Sequence, residues 1–254
     1  MVFRSIQTLA ACTAAAFAAA SSFAMENSCN VQSGATITPV VELYTSEGCS
    51  SCPPADRWVS GFKSRAGGTA LPVIQAFHVG YWDYIGWIDR FASPAYTERQ
   101  RQIASWNRQS SIYTPQAVLN GRDWRDWYST GNGLPAGKEP AHASIVLKQL
   151  GTDQFEAVVT ADSKAPASWS AYWTVTEHGH NSKVNAGENA GEFLQHDYVV
   201  RQYTPAGDYR SDSANPQRLV LRSIAPSAGH ARQVNLVVFD NKTGKTLQAV
   251  SAGC

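Results

Sequence analysis

The sequence predicts an α/β domain over residues 25–135 followed by an all-β, antiparallel, sandwich-like domain over 136–254. Three observations predict it. A strand–helix–strand pattern occupies residues 38–78, the stretch STGNGLPAGKEP at 129–140 breaks the pattern with Gly and Pro, and short alternating runs follow it.

Ahead of the first domain, residues 1–24 carry Arg4, a mostly apolar run over 5–20 and the small residues Ser22 and Ala24. This is the charged, apolar, small-residue order of a secretory signal peptide, and its apolar part is shorter than the ~20 residues a spanning helix needs. Leu9-Ala-Ala-Cys12 imitates a lipobox, but the apolar run continues past Cys12, which favours ordinary cleavage. The expected location is therefore periplasmic or secreted, with no membrane insertion after cleavage. Removing 1–24 takes away one Arg and no acid, which leaves 20 basic against 20 acidic side chains. Such a balance gives no electrostatic reason to expect nucleic acid as a partner. Eight tryptophans favour aromatic packing over disorder.

Cleavage also removes Cys12, leaving Cys29, Cys49, Cys52 and Cys254 in a compartment that permits disulfides. Of three possible pairings, Cys49–Cys52 with Cys29–Cys254 is the most economical: one bond is local and the other clasps the chain ends. In chain-entropy terms such a clasp is worth about 5 kcal/mol.

Residues 38–44 (TPVVELY) read as a buried strand, followed by Cys49-Ser-Ser-Cys52-Pro53-Pro54 and a helical pattern with Trp58, Val59, Phe62 and Lys63. Residues 71–78 (LPVIQAFH) are the next buried strand, so the CxxC falls where the first strand hands over to its helix. An aromatic loop, 79–87, comes next. Ser93-Pro94 then caps a polar helix reaching about Arg108. Residues 113–121 form a strand entered through Thr114-Pro115 and left through an Asn-Gly turn. In the second half, strands are expected at 142–149, 155–160, 169–176, 197–203, 218–223, 233–240 and 246–251, with Asn241-Lys-Thr-Gly244 as a hairpin turn.

A disulfide exchanger needs one exposed thiolate and a second thiol close enough to resolve the mixed disulfide. Two intervening residues at a helix start supply that spacing, and the helix terminus lowers the thiol pKa from about 8.5. This casts Cys49 as nucleophile and Cys52 as the shielded resolver. Glu47 opposes the effect with its charge, and Pro53 and Pro54 withhold two backbone donors. A zinc site would want four ligands, and no second CxxC exists. Both parallel strands end on one sheet edge, where the strand entered at Pro115 also starts, so His78, Trp82, Asp83, Trp87 and Pro115 are predicted to surround Cys49.

The runs VVELYTSEGCSSCPPAD, FHVGYWDYIGWIDRFASPAYTERQR, YTPQAVLNG and VNAGENAGEFLQHDYVVR together resemble a family of secreted bacterial thioredoxin-like proteins catalogued only as a domain of unknown function. The resemblance implies a thioredoxin-like first domain with an appended β domain. It also implies that Pro115, after Thr114, occupies the cis-proline position beside the cysteines, so that Thr114 contacts substrate. The sequence departs from that pattern after Gly121, where RDWRDW replaces the last expected helix.

Other candidates are weaker. Glu42 reads either as a proton acceptor for Cys52 or as a partly exposed strand acid. His178 and His180 read as a metal pair or as the decoration of a hairpin end, and the GENAG run at 187–191 as a turn between strands. The functional expectation is a thiol–disulfide oxidoreductase acting on protein thiols or disulfides of the cell envelope, without cofactor or resident metal. The alternatives are a metallochaperone holding Cu(I) through Cys49, Cys52 and His78, and a noncatalytic binding module.

Overall fold

The computed structural model describes residues 29–63, 72–130, 133–134, 139–211 and 215–253. The expected leader at 1–24 and Cys254 lie outside the described residues, and with Cys254 the Cys29–Cys254 pairing. Cys29 Sγ lies 3.3 Å from the carbonyl oxygen of Gly253, the neighbour of Cys254.

The chain is mostly β, 45% strand against 17% helix, and this overturns the expected α/β thioredoxin-like domain followed by an all-β sandwich. The strands in order are β1 (Asn30–Gln32), β2 (Val40–Thr45), β3 (Val73–His78), β4 (Gln116–Leu119), β5 (Arg122–Asp123), β6 (Ala143–Gly151) and β7 (Gln154–Ala161). They continue as β8 (Ser168–Glu177), β9 (His180–Lys183), β10 (Phe193–His196), β11 (Val199–Arg210), β12 (Gln217–Arg222), β13 (Arg232–Asp240) and β14 (Thr246–Gly253). The helices α1 (Pro53–Ser60) and α2 (Pro94–Trp106) are inserted among the first five.

An eight-stranded sheet runs β14-β13-β8-β11-β3-β2-β4-β5, and a four-stranded sheet runs β1-β6-β7-β12. The reason the expected fold class fails lies at one seam. β11 meets β3 in parallel at Val199↔Ala76, where Ala76 N donates to Tyr198 O at 2.8 Å, so strands from both halves of the chain share one sheet. Local periodicity carries no information about that pairing.

Faces follow from strand alternation. Val41, Leu43, Ile74 and Ala117 point toward α1, where they pack against Ala55, Trp58 and Val59. Tyr44, Phe77, Val118 and Val200 point the other way, toward Tyr96 and Ile103 of α2. With both faces covered, β2 and β3 are buried at every position, which is why both read as unbroken apolar-rich runs. Farther along the sheet, Trp169, Trp173 and Val175 of β8 and Val234, Leu236 and Val238 of β13 pack against Ile145, Leu147, Phe155 and Val159 of the second sheet. This sandwich holds the largest apolar cluster among the described residues, where truncating a residue such as Trp173 costs about 3–5 kcal/mol.

Local signals act as expected. Ser93 Oγ accepts from Ala95 N at 3.3 Å at the start of α2. Asn120 and Gly121, with φ of 50° and 80°, make the tight turn between β4 and β5. The RDWRDW run forms β5 and a 3-10 segment, Arg125–Thr130, whose Trp127, with Trp124 before it, stands 5.1 and 5.5 Å from the Trp58 ring. Two tryptophans thus pack against α1.

Candidate functional site

β2 ends at Thr45, a turn carries the chain through Ser46–Cys49, and α1 begins at Pro53 with Cys52 as its N-cap. Cys49 and Cys52 are joined by a disulfide. Cys49 N donates to Ser46 O and Cys52 N to Cys49 O, each at 3.2 Å, which folds the loop back on itself. Ser51 Oγ lies 3.3 Å from Cys49 Sγ.

The sulfur pair is not exposed as the exchange chemistry anticipates. Cys49 is 1% exposed and Cys52 0%, while Ser50 and Ser51 between them face solvent. The turn at 187–191 is tied to the loop. Asn189 Nδ2 donates to Glu47 O at 2.8 Å and to Cys49 O at 3.0 Å, and Ser50 N donates to Glu188 Oε2 at 3.0 Å. The GENAG run is therefore a turn between strands, and it is also a clamp on the cysteine loop.

The aromatic residues predicted around Cys49 contact the loop just before it. A Cβ on Gly48 would stand 3.0 Å from Trp82 Cβ, and the Trp82 indole N–H donates to Thr114 Oγ1 at 2.7 Å. Thr114–Pro115 is a cis peptide. Trp87 Nε1 donates to Glu47 Oε2 at 2.7 Å. Trp87 is thus hydrogen-bonded to Glu47, while Trp82 packs on Gly48 and its indole is hydrogen-bonded to Thr114. Asp83 instead braces its own loop, accepting from Asp89 N at 3.2 Å.

Beneath the disulfide loop lies a buried ionic cluster: Glu47, Asp56, His78, Asp89 and His196, each no more than 4% exposed. His78 Nδ1 faces Asp89 Oδ2 at 2.7 Å, and His196 Nε2 faces Glu47 Oε1 at 3.1 Å. Asp56 Oδ2 accepts from Thr45 Oγ1 at 3.1 Å. Register places Thr45 opposite His78 on adjacent strands, and Asp56 lies one turn beyond Cys52 on the helix above them. Burial lowers the His78 pKa, but Asp89, then Asp56 and Glu47, outweigh it and leave the imidazole raised. Burial also pushes Asp56 up. The same penalty acts on Asp89, where the charge and hydrogen bond of His78 prevail and hold the carboxyl below its ordinary range. For Glu47, burial is outweighed by hydrogen bonds led by the one from His196, so its carboxyl is also held low. The charge of Glu47 is therefore absorbed inside the cluster rather than directed at Cys49.

Two sequence readings require correction. Glu42 is neither exposed nor near Cys52: it lies on the opposite face of β2 from α1, held by Arg99 Nη2 at 2.8 Å and Nε at 3.2 Å. His178 and His180 do not form a pair, since His178 Nδ1 lies 3.5 Å from Asp197 and His180 Nε2 2.9 Å from Glu177. Sequence reasoning missed Asp56, Asp89, Asn189 and His196. Asp56 carries one usable signal, its four-residue offset from Cys52 on a predicted helix. His196 reaches the site only because β10 pairs with β9 and packs against α1, which no local pattern announces.

Residues 40–239 match the profile of a family described as "Protein of unknown function (DUF1223)". No curated protein matches the chain. Among solved structures, a crystal structure of a protein from Agrobacterium tumefaciens is similar at 24% identity and a TM-score of 0.61, covering 85% of this chain and 94% of that one. HBP35 of Porphyromonas gingivalis is similar at 12% identity and a TM-score of 0.57, covering 86% of this chain and 76% of that one. At these identities the likeness is one of fold alone. Among the described residues, no helix is long and apolar enough to cross a membrane.

Proposed function

The chain belongs to the DUF1223 family, whose description assigns no chemistry, and from its own site we propose thiol–disulfide exchange at Cys49–Cys52, acting on protein thiols or disulfides of the cell envelope. The observation that carries this reading is a bonded sulfur pair at the mouth of α1 whose loop is tied to a surface turn by three hydrogen bonds. Breaking those bonds requires no repacking of an apolar core, and single hydrogen bonds of this kind contribute about 0.5–1.5 kcal/mol each.

With the turn displaced, a substrate thiolate attacks Cys49 Sγ, the Cys49–Cys52 bond breaks, and its electron pair leaves on Cys52. A second substrate thiolate then attacks the substrate sulfur of the mixed disulfide and releases Cys49 as thiolate. Two substrate thiols are oxidised and the cysteine pair is reduced, and the reverse sequence reduces a substrate disulfide. Pro53 and Pro54 bring no N–H to the helix mouth, so the Cys49 thiolate relies on the helix dipole and the Ser51 hydroxyl. The signal-like order of residues 1–24 supports the envelope as the setting. The Cu(I) alternative draws less support, because the two sulfurs are bonded to each other and the free ring nitrogen of His78 gathers with Asp56 and His196 rather than with them.

Equilibration of the folded protein in thiol buffers, read by alkylation of Cys49 and Cys52, tests the proposal. Reversible reduction of the folded protein, together with mixed disulfides trapped on Cys49 in Cys52→Ser, is expected. A pair that reduces only as the protein unfolds is a structural staple, and that result overturns the proposal.

A further inference from the structure

The ionic cluster has an opening in its hydrogen bonding that the disulfide does not use. His78 Nδ1 and His196 Nε2 each face a carboxylate, so in neutral imidazoles these atoms carry the protons and the other ring nitrogens carry lone pairs. Those other nitrogens, His78 Nε2 and His196 Nδ1, are buried without a hydrogen-bond partner. They converge with a carboxylate oxygen of Asp56, all three ligand atoms lying within 4.8 Å of one another. Asp56 accepts there from the Thr45 hydroxyl. Lone pairs gathered in a low-dielectric interior repel, and a shared cation or added protons must offset them.

We propose that Asp56, His78 and His196 form a binding site for a divalent first-row transition-metal ion of the zinc class. Two imidazoles and one carboxylate are a donor set that zinc accepts, with a fourth position left for water. The outer shell matches as well: each histidine gives its second N–H to a carboxylate, Asp89 for His78 and Glu47 for His196, the arrangement that orients a ligating imidazole. Ligand bonds of ~2.1 Å in a tetrahedral site place donors ~3.4 Å apart, so the three side chains draw in by about an ångström on binding. A dication would also leave one net negative charge where Glu47, Asp56 and Asp89 otherwise bring three. A cleft of about 130 Å³ lined by Pro53, Asp56, Arg57, Leu194 and His196 borders the site. The ion would tie together β3, α1 and β10, elements that meet only in the folded chain.

The site is independent of exchange at the cysteines, and the test keeps the two apart. Untagged, metal-free, disulfide-bonded protein is titrated with Zn²⁺ by calorimetry and with Co²⁺ by absorption spectroscopy. One saturable equivalent is expected, with a raised thermal midpoint and visible bands for Co²⁺ on nitrogen and oxygen donors. Affinity should fall at least tenfold in Asp56→Asn and in His196→Ala, should fall by about 10–100-fold in the outer-shell variant Asp89→Asn, and should persist in Cys49→Ser/Cys52→Ser. Circular dichroism checks that each variant folds. Absence of saturable uptake by the folded wild-type protein overturns the proposal, as does uptake that survives both ligand variants or disappears with the cysteines.

Discussion

The two faces of the β2–β3 pair each bury acids and their partners, and they treat them differently. On the α2 face, Glu42 receives both nitrogens of the Arg99 fork, the Tyr44 hydroxyl at 2.6 Å and the Tyr172 hydroxyl at 3.3 Å. Tyr172 in turn accepts from Gln75, whose carbonyl accepts from Thr174. On the α1 face, five ionisable groups leave two ring nitrogens unpartnered. The first arrangement is closed, each oxygen of the carboxylate being matched by a donor, and such networks fix register between strands. The second keeps free lone pairs aimed at one point, the arrangement expected where a protein holds something other than itself. Burial of charge therefore does not by itself separate the two faces; the unpartnered ring nitrogens do.

That contrast can be broken at its strong end first. Arg99→Met leaves Glu42 buried without its cation and should lower unfolding free energy by about 3–5 kcal/mol, measured by chemical denaturation, with much of the loss recovered in Glu42→Leu/Arg99→Met. If the single variant is as stable as wild type, the α2 face is not the closed network described. A smaller effect is expected over the disulfide. Asn189→Ala removes two hydrogen bonds from the clamp and should speed reduction of Cys49–Cys52 by about tenfold, equal to 1.4 kcal/mol of barrier, in stopped-flow assays with a small thiol. An unchanged rate would mean that the turn at 187–191 does not limit access. The smallest change belongs to the open cluster. In metal-free protein Asp56→Asn keeps the shape and an acceptor for Thr45, so stability should move by no more than about 1 kcal/mol. A loss as large as that of Arg99→Met would erase the distinction between the two faces.

Much of the local structure was legible in the residues. The Cys49–Cys52 bond, the strand before it, the Ser93 cap and the Asn120-Gly121 turn rest on short-range rules of reach, missing donors and backbone freedom, which act within a few residues. Seven of the nine later strands, all but the short β9 and β10, were legible for the same reason, since alternation is a property of the strand itself. Their sheet membership was not, and the expected fold class failed with it. Glu42 illustrates the limit: alternation places it opposite Leu43, but which face meets α1 depends on helix packing.

By itself the sequence determined the Asn120-Gly121 turn, the bond between its nearest cysteines and most of the longer strands, because those are decided by neighbours along the backbone. Only the tertiary structure decided that β11 joins β3, that Asn189 clamps Cys49, and that His196 meets His78 and Asp56. Those contacts join residues more than a hundred positions apart, and they form only where sheet pairing and apolar burial bring distant strands together, which no rule acting between neighbours along the backbone can fix.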